Sequence, residues 1–186
     1  VENVLLASHD DSFVVKATGF DQHADRVGDL ALRGAVLWTQ KSALKIGTET
    51  LADVMENMTF ERVAITGGRG GLVILLRDGA LIRNVTYDRI RIGEVGTALD
   101  WNIQKRQGLG RIEDVTVSNV DVTDFSPSSF QGYDKEHAIR RIRFTNFRAA
   151  SHLILAAKDG NIGKNPHVYE LSFSAGATAT SRPAGH

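Results

Sequence analysis

Two adjacent acids, Asp10 and Asp11, stand just before an apolar run, Phe13-Val14-Val15. Hydrolysis of a glycosidic bond uses two or more carboxyl groups flanking the bond, one protonated and one ionised. Neighbouring carboxylates repel each other, which raises at least one pKa and suits a proton donor. The same pair ahead of a strand also serves as a turn or as a charged edge device. Aligning Phe13 with Leu44 and Leu72, and Val15 with Ile46 and Ile74, puts Asp10 in register with Lys41 and Arg69. Chains stacked at about 4.8 Å would bring Lys41 within ion-pair reach of Asp10. Such a row of acid and base suits sugar hydroxyls or an anionic sugar. It would equally make a solvated ladder of salt bridges, worth about 0–1 kcal/mol per exposed pair. Trp38 and Trp101 have the chemistry to stack on sugar faces or to pack a core. Glu49 and Asp100 follow or interrupt apolar runs and belong either to the same cleft or to turns. His9 stands beside the acids, where an imidazole would tune Asp10. The candidate site is Asp10 and Asp11 as catalytic acids with His9, Trp38, Lys41, Glu49 and Arg69 as substrate-binding residues, each with its structural alternative beside it.

The elements that must position these residues are written in a repeat. An apolar-any-apolar pattern, often preceded by Asn or Asp, recurs in Asn57-Met58-Thr59-Phe60, Asn84-Val85-Thr86-Tyr87, Asp114-Val115-Thr116-Val117 and Arg141-Ile142-Arg143-Phe144. A weaker copy begins at Glu170-Leu171, and degenerate ones at Asn3-Val4 and Asp29-Leu30. Taking Val4, Leu30, Met58, Val85, Val115, Ile142 and Leu171 as anchors gives spacings of 26, 28, 27, 30, 27 and 29. The alternation has period two, which is strand behaviour. A second apolar run follows within the repeat: Phe13–Val15, Ala43–Ile46, Leu72–Leu76, Ala98–Trp101 and Leu153–Ala157. Leucine-rich repeats have periods of about 20–29 residues, but their Leu-rich consensus and recurrent helix are absent here, and propeller blades need about 40 or more. No segment keeps a 3.6 period over three turns; Thr50 to Glu56 is read as one short helical turn. Gly67-Gly68-Arg69-Gly70-Gly71 has the glycines of a phosphate loop without the following Lys and Ser or Thr, so it reads as a tight turn. Asp159-Gly160-Asn161 is likewise a turn. The fold class is all-β, a single right-handed parallel β-helix of about six coils of about 26–30 residues in which stacking buries what no single coil can. Residues 1–173 would form the coils, and 174–186 a small, polar C-terminal tail.

On these residues the chain resembles the polygalacturonase family, glycoside hydrolase family 28, and other pectin-lyase-like β-helices, over its C-terminal part. Asn3-Val4 followed by His9-Asp10-Asp11-Ser12-Phe13-Val14-Val15-Lys16 looks like the coil that carries the family's Asp-Asp motif. Leu44-Lys45-Ile46-Gly47 sits where its Gly-His-Gly belongs, without the His. Gly71-Leu72-Val73-Ile74-Leu75 sits where Arg-Ile-Lys belongs, with both basic residues replaced. Ile82-Arg83-Asn84-Val85-Thr86-Tyr87-Asp88-Arg89-Ile90 is close to the next coil. The family's Asn-Thr-Asp motif would fall before Val1. The resemblance implies a polysaccharide-degrading hydrolase, or a fragment of one, with Asp10 as general acid and Asp11 helping to activate water; the replaced motifs point to a polysaccharide other than pectin. It also implies an extracellular or periplasmic setting. A non-catalytic carbohydrate-binding or structural β-helix is the alternative, and a lyase a third, although a calcium-dependent one wants several clustered carboxylates plus a basic residue.

Composition narrows the partners. Lys and Arg number 22, balanced by 22 Asp and Glu, which argues against nucleic acid or an anionic membrane as a partner. With no Cys there is no disulfide framework and no thiolate metal site. The six His lack zinc-ligand spacing, so no metal and no cofactor is expected. No apolar run reaches the roughly eighteen residues of a spanning helix. The chain begins at Val1 with no Met or leader, as a processed protein or a fragment would. Its first coil would expose an unpaired edge, expected to be covered by another copy in a homo-oligomer or by a preceding segment.

Overall fold

A computed structural model describes residues 1–19 and 23–176. Its strands are β1 (Glu2–Ser8), β2 (Phe13–Ala17), β3 (Ala24–Thr39), β4 (Ser42–Thr50), β5 (Ala52–Asp78), β6 (Leu81–Gly108), β7 (Arg111–Val122), β8 (Ser128–Gln131), β9 (Ile139–Ala149), β10 (His152–Leu153), β11 (Ile162–Lys164) and β12 (Val168–Ser174). All of them pair in parallel except β10, which folds back antiparallel on β9. The result is a parallel β-solenoid of about six turns. Of the polar tail expected from Ser174, that residue closes β12, and residues 177–186 lie outside the described ones.

The long strands are not straight, because each coil bends where a residue enters the left-handed region. One column of bends is Asp29, Asn57, Asn84, Asp114, Arg141 and Glu170, with φ of 54°, 56°, 52°, 54°, 56° and 53°. Five residues on, Gly34, Arg62, Arg89, Asn119 and Asn146 form a second column. Asn and Asp tolerate this backbone better than other non-glycine residues, which explains the Asn or Asp that precedes so many of the repeated strands. Their side chains also bond from coil to coil: the Asn57 amide donates to Asp29 at 2.8 Å, and the Asn146 amide to Asn119 at 3.0 Å.

These bends divide each coil into faces. The second face carries the stacked anchors: Leu30, Met58, Val85, Val115, Ile142 and Leu171 are successive register partners. Val4 does not belong to that column. It pairs with Ala35, and Asn3 lies against Gly34 at the second bend. The third face, 35–39 and 63–67, leads through a glycine-rich turn to the fourth, 44–47, 72–76 and 99–103. There Phe13, Leu44, Leu72 and Leu99 stack, as do Val15, Ile46, Ile74 and Trp101. Two further expectations fail. In the later coils the fourth face is built by Ser128–Gln131 and Ile162–Lys164, not by Leu153–Ala157, which leaves β9 through the β10 hairpin into a 3-10 turn at Ala157–Gly160. Thr50 to Glu56 is also not helical. It crosses into β5, with Ala52 and Met55 buried.

Inside the stack runs an aromatic ladder. Phe60 and Tyr87 lie 5.1 Å apart, Trp101 and Phe130 4.7 Å, and Phe144 and Phe173 4.7 Å, all stacked. Trp101 is wholly buried and its indole N–H donates to the Leu72 carbonyl at 3.2 Å. It is a core residue with its one polar group satisfied.

Candidate functional site

The turn between the third and fourth faces stacks coil on coil. The Ser12 amide donates to the Ser42 carbonyl at 3.0 Å, and the Arg69 amide to the Lys41 carbonyl at 2.8 Å. Asp10, Lys41 and Arg69 thus occupy equivalent turn positions on successive coils, three residues before Phe13, Leu44 and Leu72. The turn is pinned from inside by the buried Thr39, whose hydroxyl donates to the Asp10 carbonyl.

Beside this turn lies a cleft of about 520 Å³ lined by Asp10, Asp11, Lys41, Ser42, Lys45, Arg69, Gly70, Val73, Leu75, Thr97 and Asp100. Strand alternation explains the floor. Ala43, Leu44 and Ile46 are buried while Lys45 points outward, and Lys45, Val73 and Asp100 are consecutive partners in one outward column.

The acids in the cleft differ. Asp11 is largely covered; burial pushes its carboxyl up, but a hydrogen bond from Lys45 and backbone donation from Ser42 outweigh this and hold it below the usual range. The Lys45 Nζ is 2.7 Å from Asp11 Oδ2, and the Ser42 amide donates to Oδ1 at 3.1 Å. Asp100 is half-buried, and burial pushes its carboxyl up. Asp10 is exposed, and its Oδ1 accepts the Asp11 amide at 2.8 Å. One cleft therefore holds a carboxylate kept ionised and a carboxyl biased towards keeping its proton, flanked by Lys41, Lys45 and Arg69.

The structure brings Asp10, Asp11, Lys41 and Arg69 together in this cleft and leaves His9, Trp38 and Glu49 outside its lining. His9 is exposed on the approach to the turn. Trp38 is exposed on the outer surface of the third face. Glu49 is held below its ordinary range by a hydrogen bond from Lys16, which it meets at 3.0 Å, and faces Arg106 at 3.7 Å. The ion pair in the cleft is Lys45–Asp11. Lys45 was missed by sequence reasoning, although its place between the core residues Leu44 and Ile46 marks it as outward. Asp100 was weighed as a cleft residue but not chosen; it too sits between buried neighbours, Leu99 and Trp101. Among the described residues no group of three or more His, Asp or Glu is arranged to hold a metal ion.

No family model, no curated protein and no solved structure matches the chain. A β-solenoid of this kind is compatible with carbohydrate-active and with structural roles.

Proposed function

We propose that the chain is a polysaccharide-acting glycoside hydrolase, or a C-terminal fragment of one, in the manner of the polygalacturonase-like proteins it resembles, and that the cleft from Asp10 to Asp100 holds the sugar. The observation that carries this reading is the pair of oppositely biased carboxyls in one cleft, Asp11 ionised and Asp100 pushed up. Separated protonation preferences are what acid and base roles require. In this reading Asp100 protonates the leaving oxygen, and Asp11 with the adjacent Asp10 orients and deprotonates a water. Asp11 and Asp100 lie three coil steps apart in the stack, at opposite ends of the cleft. Lys41 and Arg69 donate to sugar oxygens. A polysaccharide substrate goes with a protein working outside the cell or in a periplasm.

A second reading is a non-catalytic carbohydrate-binding module. It is favoured by Asp11 itself, whose two oxygens already hold Lys45 and Ser42. Incubating the protein with a panel of plant and algal polysaccharides, and measuring both reducing ends and retention on each polymer, separates the two. The hydrolase reading expects sugar release that falls about 10²–10⁴-fold in Asp100→Asn. Retention without release supports the binding module, and neither would sink both.

A further inference from the structure

We infer that Trp38 forms a stacking platform for a sugar unit just beyond the cleft, so that the glycan path bends around the turn from the fourth face onto the third; this rests on the reading of the cleft as a sugar site. Trp38 is 43 % exposed, whereas the other tryptophan, Trp101, is at 0 %. Its exposure is built into the backbone. Leu37 pairs with Ile65, but Trp38 pairs with Gly67, so Thr66 is an extra residue in the ladder. The Thr66 hydroxyl donates to the Leu37 carbonyl at 3.2 Å. A bulge of this kind re-aims the side chain opposite it.

The indole lies close over Gly67. A Cβ on Gly67 would stand 3.0 Å from Trp38 Cδ1 and 3.1 Å from Nε1. On the other side the neighbour in register is Ala7, and beyond Gly67 comes Glu94. Small residues on both adjacent coils, Ala7 and Gly67, leave the outer side of the ring open to solvent. An open aromatic ring is the surface that the C–H face of a pyranose stacks on.

Continuity with the cleft identifies the occupant. Gly67 is followed by Gly68, Arg69 and Gly70, and the last two line the cleft. Three peptide steps span at most about 10 Å. A Cβ added at Gly68 would stand 3.2 Å from the Lys41 carbonyl, and the Arg69 amide donates to that carbonyl, so the indole's seat and the Lys41–Arg69 rim belong to the same turn. A glycan long enough to leave the cleft past Lys41 meets Trp38 next.

With one exposed and one buried tryptophan, acrylamide quenching of fluorescence reports on Trp38. The test titrates the full chain with cello-, xylo- and galacturono-oligosaccharides from dimer to hexamer, following quenching and, by NMR shift perturbation, the cleft residues. The inference expects hexamers to shield Trp38 and dimers to occupy the cleft without shielding it. Trp38→Ala should then weaken hexamer binding about 3–10-fold and leave dimer binding unchanged, with Trp38→Phe restoring most of the loss. Gly67→Ala, which keeps the indole but displaces it from its seat, should weaken the hexamer alone in the same way. Cleft shifts with hexamer but no shielding of Trp38 would overturn the platform and leave the cleft reading standing. Shielding that depends on protein concentration and not on sugar would assign Trp38, with the neighbouring exposed Leu5 and Val36, to self-association and overturn it too. No shifts and no shielding with any sugar would fail the cleft reading and this inference together.

Discussion

The Lys45 ammonium lies 2.7 Å from the Asp11 carboxylate, one coil away, with only 11 % and 15 % of the two side chains exposed. This pair joins the turn that carries the acids to the outward column of the fourth face. Its cover from solvent makes it stronger than an exposed surface pair. Lys45→Met keeps the length and apolar stem but leaves Asp11 with Ser42 alone. It should cost about 1–3 kcal/mol in urea denaturation. The folded Asp11 pKa lies below its unfolded value, so the pair stabilises above the unfolded pKa and loses that contribution as pH falls through the folded one. Lys45→Met should therefore shrink the gap between stability at pH 7 and at pH 3. An unchanged gap would show that the pair contributes nothing.

Asp100 carries the opposite sign. Burial raises its carboxyl above the usual range, so the folded state favours the protonated form. That preference is fully present below the unfolded pKa and lost as pH rises through the folded value. Asp100→Asn should thus stabilise the protein at neutral pH, by about 0.5–2 kcal/mol, while reducing sugar release. Denaturation of the variant at pH 4 and pH 8 checks this: the gain should appear at pH 8 and fade at pH 4. Equal stability at both would remove the physical basis for assigning it the acid role.

The left-handed bends predict where the coil stack is brittle. Asn57, at φ 56°, both adopts this backbone and bonds up to Asp29 and down towards Asn84, at 2.8 and 3.3 Å. Asn57→Val puts a β-branched residue there and breaks the amide ladder. It should lose about 1–2 kcal/mol for the backbone alone. Asn57→Gly relieves the backbone and loses only the ladder, so it should fall between wild type and Asn57→Val in thermal melting. A Gly variant no better than Val would assign the effect to the amide bonds.

These bends also explain how much was legible in the sequence. From Leu30 to Val115 the stack could be read because an Asn or Asp suited to the bend and a period-two strand recur together; at Ile142 and Leu171 the strand pattern alone carried it, with Arg141 and Glu170 at the bend. Val4 misled because Asn3-Val4 imitates that pair, whereas Asn3 belongs to the second bend, over Gly34. Ser128–Gln131 was invisible because β8 is short and polar, while the more apolar Leu153–Ala157 drew attention although it serves a hairpin. Leu51, Val54 and Met55 sit at helical spacing, but the parallel pairing of β3, β5 and β6 holds that stretch extended. In the cleft, register alone could place Asp10, Lys41 and Arg69 on one turn. The partner of Asp11 could not be read this way, because it depends on a long lysine side chain reaching between coils from the adjoining face.

A last ion pair lies away from the cleft. The Asp78 side chain is wholly buried and accepts from Arg106 Nε at 2.8 Å, Arg106 Nη2 at 2.6 Å and the Thr50 amide at 3.0 Å. The Thr50 hydroxyl in turn accepts the Asp78 amide at 2.9 Å. The cluster clips the end of β6 to the junction of β4 and β5, and the Arg106 hydrogen bonds, against the opposing effect of burial, hold Asp78 below its ordinary range. Removing one partner strands a buried charge, which costs more than removing both. Arg106→Ala should lose about 3 kcal/mol, the low end for a buried pair because Arg106 itself is 36 % exposed. Since the folded pKa of Asp78 is depressed, its stabilisation is present above the unfolded value near about 3.9 and lost as pH falls through the folded one. The acid unfolding midpoint of Arg106→Ala should therefore move to higher pH. The double variant with Asp78→Asn should recover part of the loss at pH 7, because the stranded charge is gone. Losses that simply add would mean that the two side chains stabilise the junction independently and that the bidentate pair is not what holds the end of β6.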